Sequence, residues 1–105
     1  MSDTNIQALL KGNNIAAFEV LYDKYGPSVY GLILKLTPDS YTACRILEES
    51  FVKMWLERDS YSASKSSLFT WMLGITIKHS TAVLYLPQKT LIYKLFPADP
   101  GSLPA

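Results

Sequence analysis

The chain reads as an all-α, compact single-domain helical bundle, with four main helices and a short C-terminal helix contributed by the tail. Three observations lead there. Apolar residues recur at helical spacing in successive stretches, and Gly, Pro, Asn and Ser punctuate them. The one short apolar run that reads equally as a strand, PSVYGLILKL from Pro27 to Leu36, has no partner strand elsewhere in the chain. A length of 105 residues fits one domain that buries roughly two thirds of its unfolded surface.

Residues 4–11 form a short first helix in this reading, capped by Asp3 or Thr4, with Ile6, Leu9 and Leu10 facing inward. Gly12, Asn13 and Asn14 end it. A second helix runs from Ile15 to Tyr25 on a stripe of Phe18, Leu21, Tyr22 and Tyr25, and Gly26-Pro27 breaks or kinks it. Pro27 to Leu36 is again helical in period, with Val29, Tyr30, Ile33, Leu34 and Leu36 expected to be mostly buried.

The stretch Tyr41 to Arg58 organises the rest. Cys44, Leu47, Phe51, Met54 and Trp55 stack along one side of a helix of about five turns. Arg45, Glu48, Glu49, Lys53 and Glu57 take the other side, and Glu49 to Lys53 is the favourable order for an i,i+4 pair. Thr37 caps the start in this reading, with Pro38 at the first helical position and Asp39 near the positive end of the dipole.

Residues 59–67 form a serine-rich loop, and Ser66 or Ser67 caps a helix running from Leu68 to Leu86 before Pro87. That helix is apolar on two sides. Leu68, Trp71, Met72, Ile75, Ala82 and Leu86 make one stripe; Phe69, Leu73, Ile77 and Leu84 make a second, which needs a cover. Leu91, Ile92, Leu95 and Phe96 supply a candidate. The expected division is therefore a helical domain over residues 1–87 and a tail over 88–105, partly packed back, with a Pro/Gly/Ser-rich flexible end.

Composition narrows the function classes. The net charge is +1 and the ten basic residues are scattered, without the concentrated patch of a strong nucleic-acid binder. Cys44 is the sole cysteine, which removes internal disulfides and cysteine zinc sites, and its place on the apolar stripe suggests a small hydrophobe. One His, one Cys and scattered surface carboxylates do not assemble a nucleophile with its base, a metal cage or a phosphate loop. No enzyme activity and no cofactor are expected. With no secretory pattern and no long apolar run, the expected place is the cytoplasm, away from membranes.

The run ACRILEESFVKMW, with AFEVLYDKYGPSVYGL before it and LFTWMLGIT after it, resembles region 2 of bacterial RNA polymerase sigma factors of the extracytoplasmic-function type. The resemblance spans about residues 16–77 and is carried mostly by core positions: Phe18, Tyr22 and Tyr25; Ala43, Leu47, Glu49, Phe51 and Trp55; Trp71 and Ile75. It implies a domain of transcription initiation that docks on the polymerase clamp coiled coil. The implied docking residues are Arg45, Glu48, Glu49 and Lys53, where the family usually reads Asp and then Gln-Glu; Arg45 reverses a charge.

In the family, the fourth helix and the loop before it open promoter DNA and hold unstacked bases, work for rings and cations. This chain departs there, with Gly74, Ile77, Ala82 and Tyr85 in places the family fills with polar and basic residues. Lys65, Lys78 and His79 remain as DNA-binding candidates, so promoter contact is expected to be weak. No counterpart of the second sigma domain, which reads the upstream promoter element, is expected in the stretch after Pro97. The alternative is a regulatory or dimerisation domain that kept the fold and lost promoter melting. On that reading the Phe69, Leu73, Ile77 and Leu84 stripe would bind the tail, a second copy, or an anti-sigma-like regulator.

Overall fold

The computed structural model describes residues 14–97, together with Ala8 and Gly12. The helix expected over residues 4–11 lies outside the described residues except for Ala8, which is helical. Four helices follow: α1 (Ile15–Leu36), α2 (Ser40–Leu56), α3 (Leu68–Leu84) and α4 (Gln88–Leu95), with a 3-10 turn at Arg58–Ser60. Among the described residues there is no strand, as the fold class requires.

The Gly26-Pro27 step does not break the chain; α1 runs straight through it. Pro27 removes one N–H, which leaves the Asp23 carbonyl without its i+4 donor. Both Asp23 and Pro27 lie on the exposed side, where water can serve that carbonyl. Gly26 takes away the Cβ that a following proline ring would crowd. It is buried against Tyr22, where an added Cβ would stand 3.6 Å from the ring. The two stripes expected on separate helices therefore merge into one face, with Leu21, Val29, Ile33 and Leu36 buried along it.

The cap of α2 also differs from expectation. Thr37 ends α1 instead, its N–H donating to the Ile33 carbonyl at 3.0 Å, in the extended conformation that a residue before proline favours. Asp39 caps α2: its carboxylate accepts from the Thr42 N–H at 3.2 Å and from the Thr42 hydroxyl. These bonds hold the Asp39 carboxyl below the usual aspartate range.

The buried face of α2 is Ala43, Ile46, Leu47, Ser50, Phe51 and Met54. It is rotated by about one position from the stripe read in the sequence, because α1 and α3 both pack on α2 and together cover that line. Cys44 consequently lies exposed rather than in the core, 3.9 Å from the Tyr30 hydroxyl. Trp55 is half-buried. Phe51 makes T-shaped contacts with Phe18 and Tyr22 at centroid distances of 6.1 and 4.8 Å, and Phe18 also meets Trp55 at 5.9 Å. Helix α2 ends at Leu56, short of Arg58, whose guanidinium lies 4.0 Å above the Trp55 ring and donates to the Trp55 carbonyl at 2.6 Å.

The serine-rich connection is tied down. Tyr61 is buried, tilted against Trp71, and its hydroxyl donates to the Ser66 carbonyl at 3.2 Å. Trp71 Nε1 donates to the Ser60 hydroxyl, and Ser67 caps α3 by accepting from the Thr70 N–H at 3.1 Å.

Helix α3 stops at Leu84, two residues earlier than expected, because Tyr85 turns into the left-handed region at φ 55°. Its two apolar sides face two cores. Leu68 and Met72 join the main cluster with α1 and α2, while Ile77 joins Leu36, Leu91 and Leu95 in a second, with Leu32, Leu73, Leu84 and Leu86 around it. Helix α4 is thus the cover for the second stripe. Only Leu91 and Leu95 of its candidates point in; Ile92 and Phe96 are exposed, since an eight-residue helix presents one narrow face to its neighbours. Phe69 goes to the main cluster, stacked on Tyr25 at 5.9 Å.

Candidate functional site

The residues with interaction chemistry collect on the outer face of α2 and the adjoining side of α3. Helical spacing sets Arg45, Glu48, Glu49, Val52, Lys53 and Leu56 on one exposed surface. Glu49 is the centre of its charge network. Its Oε1 accepts from Arg45 Nε at 3.3 Å and from His79 Nε2 at 2.9 Å, the second bond crossing from α3. An ionised carboxylate only accepts, so His79 Nε2 carries the proton. The bond from His79, helped by the Arg45 charge, holds the Glu49 carboxyl below the usual glutamate range.

This arrangement revises two expectations. Arg45, not Lys53, pairs with Glu49: the bond from α3 draws the carboxylate away from Lys53, which has no ion pair among the described residues. His79 points at α2 with its side chain only 12% exposed, so it is not a free cation on the outer side of α3. Lys78 is exposed and lines a cleft of about 170 Å³ with Lys53, Glu57, Ile75, His79 and Ala82. Lys65 is exposed in the loop before α3. It lines neither the cleft that holds Lys78 and His79 nor the groove beside it.

A second, more open groove adjoins the cleft, lined by Glu48, Glu49, Val52, Lys53, Leu56 and His79. Val52 and Leu56 are 53% and 70% exposed, unusual for aliphatic residues in mid-helix and at a helix end. Sequence reasoning passed over both. Their signal was present: they stand four and eight residues after Glu48, off the buried stripe and on the acidic side. Of the hydrophobic stripe proposed for interaction, Leu73, Ile77 and Leu84 pack under α4 and Phe69 packs in the main core. No group of three or more His, Cys, Asp or Glu side chains suited to a metal ion occurs among the described residues. Nor, among them, is any helix long and apolar enough to cross a membrane.

The sigma-70 region 2 family model matches residues 21–81, the span from the second turn of α1 to the last turn of α3. The chain belongs to that family. Among curated proteins it is similar to the ECF RNA polymerase sigma factor SigK of Mycobacterium tuberculosis and of Mycobacterium bovis, 29% identical over 83 residues in each case. That alignment takes in 76% of this chain and 43% of the relative. The SigK of Mycobacterium ulcerans is 31% identical over 67 residues, 64% of this chain and 35% of that protein. The chain thus spans less than half the length of the curated relatives it matches. No solved structure gives a significant match. Within this region 2 domain, the matched span contains the whole α2 face and His79, and ends before α4.

Proposed function

We propose that this domain is a transcription-initiation module that docks on the clamp coiled coil of RNA polymerase core through the outer face of α2. The observation that carries the reading is the exposed surface that sets the Glu48 carboxylate beside Val52 and Leu56, with Glu49 and Lys53 at its edge. A charged residue rimming exposed aliphatic side chains is the make-up of a protein-docking patch rather than of a solvated helix face. Family membership supplies the partner class. Arg45 is neutralised in place by Glu49, which tempers the charge reversal at that position.

Contact with promoter DNA is a minor part of the proposal. Lys78 is exposed on α3, Lys65 lies in the loop before it, and His79 is engaged with Glu49, so the cationic surface on α3 itself is small. The alternative, in which the Leu73, Ile77 and Leu84 stripe binds a second copy or a regulator, is disfavoured because α4 occupies that stripe.

Titration of the domain against an isolated clamp coiled coil tests the reading. Saturable binding is expected, weakened tenfold or more by Glu48→Lys, which corresponds to about 1.4 kcal/mol. Absence of binding at modest salt would remove the docking role. A parallel titration with single-stranded promoter DNA should show weak, salt-sensitive binding that falls with Lys78→Ala.

A further inference from the structure

We infer that His79 is a positioning residue for the docking face: it fixes which carboxylate oxygen Glu49 presents to a partner. The inference rests on the docking reading above and concerns a residue on another helix.

Both contacts to Glu49 converge on Oε1, and Oε2 has no hydrogen-bond partner among the described residues. The two donors differ in kind. Arg45 is a long side chain, 56% exposed on the same helix, and yields readily to a competing group. His79 has a short side chain rooted in α3 and 12% exposed, with two rotatable bonds, and holds its place. The charged groups around the pair are Arg45, Glu48 and Lys53 from α2, Glu57 at its C-terminal cap, and Lys78 from α3. Oε2 is not buried, the Glu49 side chain being 42% exposed, so a donor from a partner can reach it while displacing at most Arg45. Without His79, Glu49 is one more mobile side chain that docking must order, an effect on affinity of roughly two- to tenfold.

The test compares His79→Leu, which removes the donor, with His79→Gln, whose amide N–H can restore it, each first checked by circular dichroism for an unchanged fold. Two readouts are taken: affinity for the clamp coiled coil, and the Glu49 carboxyl titration followed by NMR in the free domain. The expected result is a two- to tenfold loss of affinity and an upward shift of the Glu49 titration in His79→Leu, both recovered in His79→Gln. In a Glu49→Gln background, His79→Leu should cause no further loss. If the unaltered domain and His79→Leu bind alike, or if the two substitutions weaken binding additively, the role of His79 is overturned while docking stands. If the unaltered domain does not bind at all, the docking reading falls, and the role of His79 in it falls too.

Discussion

Truncating one leucine should separate the two cores. Leu91 is fully buried in the smaller cluster, between Leu36 of α1 and Ile77 of α3. Leu→Ala at such a site costs about 2–5 kcal/mol. Helix α4 has eight residues, below the roughly 12–15 at which an isolated helix becomes even marginal. It is helical because Leu91 and Leu95 are docked. Losing most of the Leu91 contact therefore releases α4 instead of leaving a sealed cavity, and the loss is capped at the free energy of docking, of the order of one buried leucine or about 2–3 kcal/mol. For a domain near 100 residues that is a fall in Tm of roughly 10–20 °C. Total stability for this size is of order 5–15 kcal/mol, so the three longer helices should remain folded. Urea unfolding followed by the fluorescence of Trp55 and Trp71, both packed on the main cluster, measures the first quantity. Binding of a hydrophobic dye to uncovered Leu73, Ile77 and Leu84 measures the second. An unchanged urea midpoint with no added dye binding would refute the covering role of α4. Loss of all helical signal would refute the independence of the main core.

Other substitutions follow from the same geometry. Ser50 is buried in α2 and its hydroxyl has no partner among the described residues, so Ser50→Ala should raise stability by about 1 kcal/mol in urea unfolding; a loss of that size would show a hidden partner. Pro27→Ala restores an N–H for the Asp23 carbonyl in the middle of α1 and should stabilise by roughly 1–2 kcal/mol, read from the shift of the urea midpoint. Glu49 has a depressed pKa in the folded state, so its contribution is present above the unfolded value and disappears as pH falls through the folded one. Thermal melts between pH 6 and about 3 should accordingly show a shallower loss of stability in Glu49→Gln than in the unaltered chain.

Periodicity reached the elements and their faces but not their junctions. The Phe18, Leu21 and Tyr22 stripe and the Val29 and Ile33 stripe were legible separately; that they form one helix depends on Gly26 making room before Pro27, and on Asp23 facing solvent. Thr37 read as the cap of α2 and Asp39 only as a charge near its dipole; in the fold Thr37 closes α1 through its N–H to the Ile33 carbonyl, and Asp39 caps α2. Cys44 and Ala43 are neighbours, and a helix packed by two partners buries the smaller residue and turns the thiol out. At the candidate site, Glu48 and Glu49 were visible as an acidic pair. The link from Glu49 to His79 joins positions thirty residues apart and no local pattern encodes it. Val52 and Leu56 were hidden by the habit of assigning aliphatic residues to cores.

Tyr85 has a bearing on how the molecule is held shut. It turns the chain from α3 to α4 at φ 55°, a conformation that costs a side-chain-bearing residue on the order of 1 kcal/mol, and its ring, 91% exposed, recovers little of that. Glycine would make the reversal at no steric cost, but it would also open many other exits from α3. Tyrosine keeps the exits few while taxing the one in use. The cost of this single backbone torsion is offset by the burial of Leu91 and Leu95, so the closure of the second core is tuned at the turn as well as at the leucines.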